Sequence, residues 1–437
     1  VILYNSLMPP IYLDYNATTP LLPEAWEAMR PLMTEAFGNS SSAHQAGRKA
    51  RQALEDARER LASLLGAFPD EVTFTSGATE ANNLAILSLA CIAPPRPARF
   101  PSGTGGVRGG ASLLPPSPRE GGLGGEGNIP RQSLPGGEGQ REGSASILTS
   151  HLEHPCVVEP LRHLEARGIG VEWLPLSPRG VLLATTVQAA TRAATRLVCT
   201  MLANHETGAL QPVREIAAAL PPGIALHCDA AQAVGKIPVD FHNLGATTLT
   251  ASAHKFGGPQ GIGVLVAKRG TPLSPLMFGG HQQQGRRPGT EPVALAVGMA
   301  TALAWATRNL TENLAKLQAL RQRLWSRLLE RAPPLVLNGP EIGAPDVVPT
   351  TLNVSFPGCR ADLLLLALDM AGVACSTGSA CSSGSLLPSP VLAAMGVPEE
   401  VLRSALRFSL GSQVEFADID EAAVRIGSAV ARARETF

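Results

Sequence analysis

Long apolar runs, paired cysteines and an excess of charge of either sign are all missing from this chain. No stretch approaches the ~20 consecutive apolar residues needed to span a bilayer, so no membrane contact is expected. The short apolar start, "VILYNSLMPPIYLDYN", has neither a basic n-region nor a small-residue cleavage site, which predicts no secretory leader. Seven cysteines (91, 156, 199, 228, 359, 375 and 381) are scattered singly. The lack of any C-x-x-C pair excludes a zinc ribbon and a thioredoxin-type motif. Sparse thiols in a large chain read as a reduced, cytoplasmic protein. With 36 basic and 36 acidic residues the net charge is zero, so no overall field favours nucleic acid or an anionic membrane.

The composition that remains suits a globular α/β enzyme. The chain has 437 residues, 44% of them hydrophobic and 16% charged, which allows two or three domains and a well-buried core. One segment breaks the pattern. Between Pro101 and Gly143 there are 14 glycines and 6 prolines and no aromatic residue. Such a stretch cannot bury enough surface to offset its ordering entropy, so residues 94–143 are expected to form a disordered, low-complexity insertion.

Around that insertion strands and helices alternate. "EVTFTSG" reads as a strand ending in a turn and "ATEANNLAILSLA" as the helix that follows. "ASILTS" precedes the helix "PCVVEPLRHLEARG", with proline in its first turn. "TRLVCTML", "IALHCDA", "TTLTAS" and "GIGVLVAKR" are apolar runs of buried-strand length. This order predicts an α/β fold whose large domain, residues 21–305, is built on a mainly parallel sheet. Long amphipathic helices begin after Thr290, and residues 306–437 are expected to form a smaller α+β domain. Residues 1–20 are expected to pack with that smaller domain.

Four strand ends carry the polar chemistry. "TSGATE" (75–80) is a glycine turn opening a helix, whose free N–H groups suit a phosphate. "HCDAAQ" places Asp229 at the end of a buried run, where a carboxylate needs a cationic partner or a protonated ligand nitrogen. "SAHKFGGPQG" places Lys255 after another buried strand, where desolvation favours a neutral, nucleophilic amine. "LEHPC" places His154 at a fourth end. A metal reading of His151, His154 and Cys156 lacks HExxH spacing, so no metal ligands are assigned. A phosphate corner, a nucleophilic lysine and a carboxylate for a ring nitrogen together point to pyridoxal 5′-phosphate. A core ion pair between Asp229 and Lys255 is the bland alternative. "STGSACSSGSLLPSP" (376–390) sets Cys381 among small polar residues, which predicts a reachable thiol on a mobile loop.

Taken together, the motifs resemble the NifS/IscS-like cysteine desulfurases, within the class-V aminotransferase family of fold type I pyridoxal-phosphate enzymes. The resemblance rests on "YLDYNATTP", "FGNSSSAHQAGRKAR", "TSGATEANN", "LEH", "MLANHETGALQP", "HCDAAQAVGK", "SAHKFGGPQGIG", "RRPGTEP", "STGSACSSGSLLPSPVL" and "LRFSLG". It implies that Lys255 bears the cofactor and that His154 stacks on its ring. Asp229 would hold the ring nitrogen and Gln232 the phenolic oxygen. Ala78, Thr79, Ser252 and His254 would bind the phosphate, and Thr290 would reach the phosphate of a second subunit in a homodimer. Arg407, with Asn39, would take the substrate carboxylate. Cys381 would accept sulfur from L-cysteine as a persulfide and pass it to an acceptor protein, in iron–sulfur cluster assembly or another delivery route. A selenocysteine lyase and a silent scaffold of the same fold are the rival expectations.

The chain departs from the family pattern in places. His205 stands where an asparagine is usual beside the cofactor oxygen, and its charge is expected to vary with pH. Ser412 follows "SLG" where an arginine is common, and the sequence ends at "VARARETF", short of a tail that in some members docks an iron–sulfur scaffold protein. Cys375 is expected to pack at the end of a buried strand rather than act as a second thiol.

Overall fold

The fold was analysed in a computed structural model that describes residues 9–90, 146–378 and 388–435. The insertion expected at 94–143 and the thiol of Cys381 lie outside the described residues.

Seven of the strands make one sheet, in the spatial order Val72–Thr75, Gly263–Ala267, Thr248–Ser252, Ala225–Asp229, Thr195–Met201, Ser146–Ser150 and Gly170–Leu174. In chain order, β1 (Ile11–Tyr12) is followed by helices α1 (Pro23–Thr34) and α2 (Gln45–Leu64), then β2 (Val72–Thr75) and α3 (Ala78–Ala90). Then come β3 (Ser146–Ser150), α4 (Pro155–Glu165), β4 (Gly170–Leu174), α5 (Ala184–Ala190), β5 (Thr195–Met201), α6 (Val213–Ala219) and β6 (Ala225–Asp229). The short α7 (Phe241–Leu244) leads to β7 (Thr248–Ser252) and β8 (Gly263–Ala267). Pairing is parallel from β4 to β7, whereas β8 runs antiparallel to both of its neighbours. The sheet is therefore mainly parallel, and β8 is the one strand whose direction the run of apolar residues did not reveal.

Strands β5, β6, β7 and β8 are buried on nearly every residue. That is the consequence of covering both faces of a parallel sheet, and it explains why they read as continuous apolar runs rather than alternating ones. Helix α2 shows the opposite pattern. Its buried Ala50, Leu54, Ala57 and Leu61 fall at spacings of four and three, giving one apolar stripe under a charged outer face. Helix α8 (Val293–Arg308) is apolar almost all round because it is packed by both α1 and α2.

At Asn309 the chain bends by 71° into α9 (Leu310–Arg331). Beyond it lie β9 (Val336–Leu337), β10 (Thr351–Ser355), α10 (Ala361–Met370), β11 (Val373–Ala374), α11 (Pro390–Ala394), α12 (Glu399–Leu402), β12 (Ala405–Ser409) and α13 (Phe416–Glu435). Strands β12, β10 and β9 form a second, antiparallel sheet. Its core is a separate apolar cluster that includes Leu320, Leu324, Leu328, Leu352, Phe356, Phe408 and Ile426. The N-terminal segment joins the two regions. Strand β1 pairs in parallel with β11, and the Tyr15 N–H reaches the Ser409 carbonyl. A few residues later the Thr19 N–H bonds the carbonyl of His254, just beyond β7. Among the described residues no single helix is long and apolar enough to cross a membrane.

Candidate active site

In an open parallel sheet the carboxyl ends of the strands are where ligands collect. Here β2, β3, β5, β6 and β7 all end at one cavity of about 490 Å³. Its walls carry Ser76–Thr79 from the β2–α3 turn, His154 after β3, His205 after β5, Asp229 closing β6, and Ser252, His254 and Lys255 after β7. Helix α3 begins at Ala78, so its first backbone N–H groups have no partner within the helix and face this end of the cavity.

Asp229 is held from behind. Its Oδ1 accepts the Ala231 N–H at 2.9 Å and its Oδ2 accepts Asn82 Nδ2 at 2.9 Å. A carboxylate only accepts, so the Asn82 nitrogen must face it, and Asn82 Oδ1 then turns the other way. There it accepts from the Thr250 hydroxyl at 2.6 Å and from His227 Nε2 at 3.0 Å. Burial pushes His227 down to about 4, so it is a neutral donor. Asn82, Asp229, His227 and Thr250 are all buried, and each of these polar groups is satisfied by another.

His154 is the N-cap of α4. Its Nδ1 accepts the backbone N–H of Cys156 at 3.2 Å, and the Cys156 sulfur lies 2.9 Å from the same nitrogen. The imidazole stands edge-on to that of His205, with ring centroids 5.5 Å apart. His205 is buried. Desolvation first, then the positive charges of His154, Arg407 and Lys255, hold it well below the ordinary histidine range. The pH-dependent charge expected at this position is therefore corrected: although Glu206 Oε1 lies 3.7 Å from His205 Nε2, that carboxyl is itself raised to about 7 by burial, and desolvation of the imidazole outweighs it, so His205 is a neutral ring. Its Nδ1 has no partner among the described residues.

The Lys255 ammonium donates to the carbonyls of Asn16 at 2.6 Å and Ala17 at 2.9 Å. Asn16 is a junction. Its carbonyl also accepts Gln232 Nε2 at 2.9 Å, its Oδ1 accepts Lys236 Nζ at 2.9 Å, and its Nδ2 donates to the His205 carbonyl and to Thr351 Oγ1. Burial, reinforced by the charges of Lys255 and Arg407, drives Lys236 well below the ordinary lysine range. His254 is pushed down to about 4 by burial and by the two lysines. The buried Arg407 of β12 binds Asp14 Oδ1 through Nη2 at 2.8 Å and the His205 carbonyl through Nη1 at 3.1 Å. Its Nε is buried without a partner among the described residues.

The cavity thus gathers Ala78, Thr79, His154, His205, Asp229, Gln232, Ser252, His254 and Lys255 of the sequence-based set. Three others are not on its walls: Asn39, Thr290 and Arg407, the last of which reaches it through the His205 carbonyl. Asn39 is exposed after α1, where its Oδ1 accepts the Ser41 N–H, and Thr290 is exposed before α8. Hydrogen bonding between Ser40 and Glu291, at 2.6 Å, ties the segments that carry them to one another. Cys375 packs against the second core, and burial raises its thiol far above the ordinary range, as expected of a strand-end cysteine. Among the described residues no group of three or more His, Cys, Asp or Glu side chains could hold a metal ion.

Asn16, Asn82, Cys156 and Lys236 escaped the sequence reading. For Asn82 a signal existed. It lies three and four residues after Thr79 and Ala78 on one helix, a polar residue on a face that is otherwise apolar. For Asn16 and Lys236 no local signal distinguishes them from ordinary loop and turn residues.

The Cys381 stretch leaves and rejoins this site at residues that are described. Ser376 exchanges both backbone hydrogen bonds with Arg407, and Ser389 Oγ donates to Glu206 Oε2 at 2.6 Å. Gly378 turns with φ +87° against the same carboxyl, where a Cβ would come within 2.6 Å of Glu206 Oε2, so only glycine fits.

Comparison with known proteins agrees with this arrangement. The Aminotransferase class-V family model matches residues 11–96 and 136–422. The chain is 38% identical to the cysteine desulfurase IscS of Dictyoglomus turgidum, over 92% of this chain and 89% of that protein. It is 39% identical to an IscS-like cysteine desulfurase of Mycobacterium tuberculosis, over 97% of each. Among solved structures, a NifS-like protein superposes with a TM-score of 0.80 at 29% identity, covering 97% of this chain and all of that one. DndA from Streptomyces lividans superposes with a TM-score of 0.67 at 36% identity, covering 91% and 99%. With the family model matched across most of the chain and its relatives aligned nearly end to end, this protein belongs to the class-V aminotransferase family.

Proposed function

We propose that this protein is a pyridoxal-phosphate-dependent cysteine desulfurase, which converts L-cysteine to L-alanine and takes the sulfur onto Cys381. The observation that carries the reading is the convergence of Lys255, Asp229 and the N-terminus of α3 on one cavity. These supply a primary amine for an aldehyde, a carboxylate for a pyridinium and a cradle of N–H groups for a phosphate. The donor set also fits at its edges, since His205 Nδ1 and Arg407 Nε are buried polar atoms without partners among the described residues.

Bound there, the cofactor acts as an electron sink for the pair left when the substrate Cα loses its proton. Lys255 would hold it through Nζ and, when not so engaged, would be the base for that proton. The carbonyls of Asn16 and Ala17 fix where the nitrogen waits. Asp229, oriented by Asn82 and Ala231, keeps the ring nitrogen protonated. Arg407 offers its Nε to the substrate carboxylate while Asp14 anchors the far side of the guanidinium. The Cys381 thiolate would attack the substrate sulfur, the C–S pair would stay with carbon, that carbon would take up a proton, and the proton lost from Cα would be returned there. Alanine leaves and a persulfide remains.

A second copy of the chain is part of the proposal. Phe278 is 95% exposed and Phe37 69% exposed, and Met277, Trp26 and Met33 are exposed with them. We take these side chains as part of the surface that a second copy covers. Asn39 and Thr290 lie on the neighbouring segments, consistent with service to the partner's cavity. The persulfide is destined for an acceptor protein, and the IscS names of the relatives favour iron–sulfur assembly.

The test is to mix the cofactor-loaded protein with L-cysteine and assay alanine and sulfide, with Cys381→Ala alongside. The wild type should release both, and the variant should change the cofactor's visible spectrum without releasing sulfide. A wild type that turns over selenocysteine but not cysteine, or a variant that releases sulfide at the wild-type rate, would refute the assignment.

A further inference from the structure

We infer that Cys156 is a positioning residue, which links His154 to the Asn82–Asp229 pair through its thiol and, together with its backbone N–H, fixes His154 with its proton on Nε2. The inference rests on the reading above that His154 and Asp229 meet the cofactor ring. Three contacts settle the proton arrangement. The backbone N–H of Cys156 can only donate, and it points at His154 Nδ1 at 3.2 Å, so Nδ1 is an acceptor. The thiol, 2.9 Å from the same nitrogen, must then donate its own hydrogen rather than sit as a thiolate beside an N–H. Its sulfur lone pair in turn accepts Asn82 Nδ2 at 3.0 Å, the same nitrogen that holds Asp229 Oδ2. That nitrogen has a hydrogen for each, and its orientation is forced by the carboxylate.

The result is one hydrogen-bonded unit running from Thr250 and His227 through Asn82 to Asp229 on one branch, and through Cys156 to His154 on the other. Cys156 is half-buried and lines the cavity itself. Among the described residues the titratable groups around the imidazole include Cys156 on α4, Asp229 at the end of β6, His205 after β5, Lys255 after β7 and the adjoining Glu153, and the Cys156 sulfur lies 3.9 Å from Asp229 Oδ2, farther than from His154 Nδ1 at 2.9 Å. Of these only Cys156 is placed to donate to Nδ1. An imidazole fixed this way presents Nε2–H and cannot turn without breaking both the helix cap and the thiol bond.

The experiment uses the full chain with ring-15N-labelled histidine, with and without cofactor, and His154→Gln to assign the signal. The expected spectrum shows His154 Nδ1 unprotonated and Nε2 protonated in both forms. In Cys156→Ala the backbone N–H still caps Nδ1, so the tautomer should persist, but the Nδ1 signal should shift and broaden as the ring is loosened, and kcat should fall by about two- to tenfold, the span of one ordinary hydrogen bond. Cys156→Ser keeps a donor and an acceptor in place and should restore both the spectrum and the rate. Protonated Nδ1 in the wild type, or a Cys156→Ala Nδ1 signal unchanged in position and width, would overturn the inference. The nitrogen spectrum reads His154 without turnover, so it separates this inference from the desulfurase assignment.

Discussion

Glu153 allows the electrostatics of the site to be tested as a stability. Its Oε1 accepts the Met201 N–H at 2.7 Å, and its Oε2 is buried without a partner among the described residues. Burial, and then the negative charge of Asp229, raise this carboxyl from 4.5 to about 8. The native state thus keeps a proton that the unfolded chain gives up above pH 4.5. Stability from this group is complete below that pH and is lost as the pH climbs toward 8. At ~1.36 kcal/mol per pH unit, the whole span amounts to roughly 5 kcal/mol, of which about 2 kcal/mol falls between pH 6 and pH 8. Glutamine copies the shape of the protonated acid and does not titrate. Glu153→Gln should therefore gain about 2 kcal/mol relative to the wild type over that interval. Urea unfolding of the two cofactor-free proteins at pH 6, 7 and 8 measures the gap, and all other titrating groups cancel in the difference. Parallel stability curves, or a gap that closes as pH rises, would show that Glu153 is ionised in the native state and would refute the reasoning.

Two further outcomes follow from the packing and the charge layout. Arg407→Gln removes a charge-assisted bond worth about 1.5–3 kcal/mol, so kcat/KM for L-cysteine should drop by about ten- to a hundredfold; a loss below threefold would show that the carboxylate binds elsewhere. Leu324→Ala empties part of the second core and should cost about 2–5 kcal/mol in urea unfolding, and a cost under 1 kcal/mol would mean that this cluster is not closely packed.

How far the sequence carried can be judged from particular elements. Strands β3, β5, β6 and β7 and helices α3 and α4 were legible because burial on both faces, or on one stripe, imposes local periods that a short window can hold. For the same reason Asp229 and Lys255 could be placed at strand ends, where a polar residue after an apolar run stands out. The antiparallel direction of β8 was not legible, since an apolar run is the same read either way.

By itself, then, the sequence determined the mainly parallel sheet, the strand-end positions of the reactive side chains and the chemistry those residue types allow. Tertiary structure alone decided which groups meet and in what state. Asn82 is bonded to Cys156 and Asp229 across 74 and 147 residues of chain, and Lys255 to Asn16 across 239. The neutral His205, the protonated Glu153 and the tautomer of His154 all follow from burial and from partners brought together by the sheet. No local stretch carries that information, because the cost of a charge depends on what surrounds it after folding.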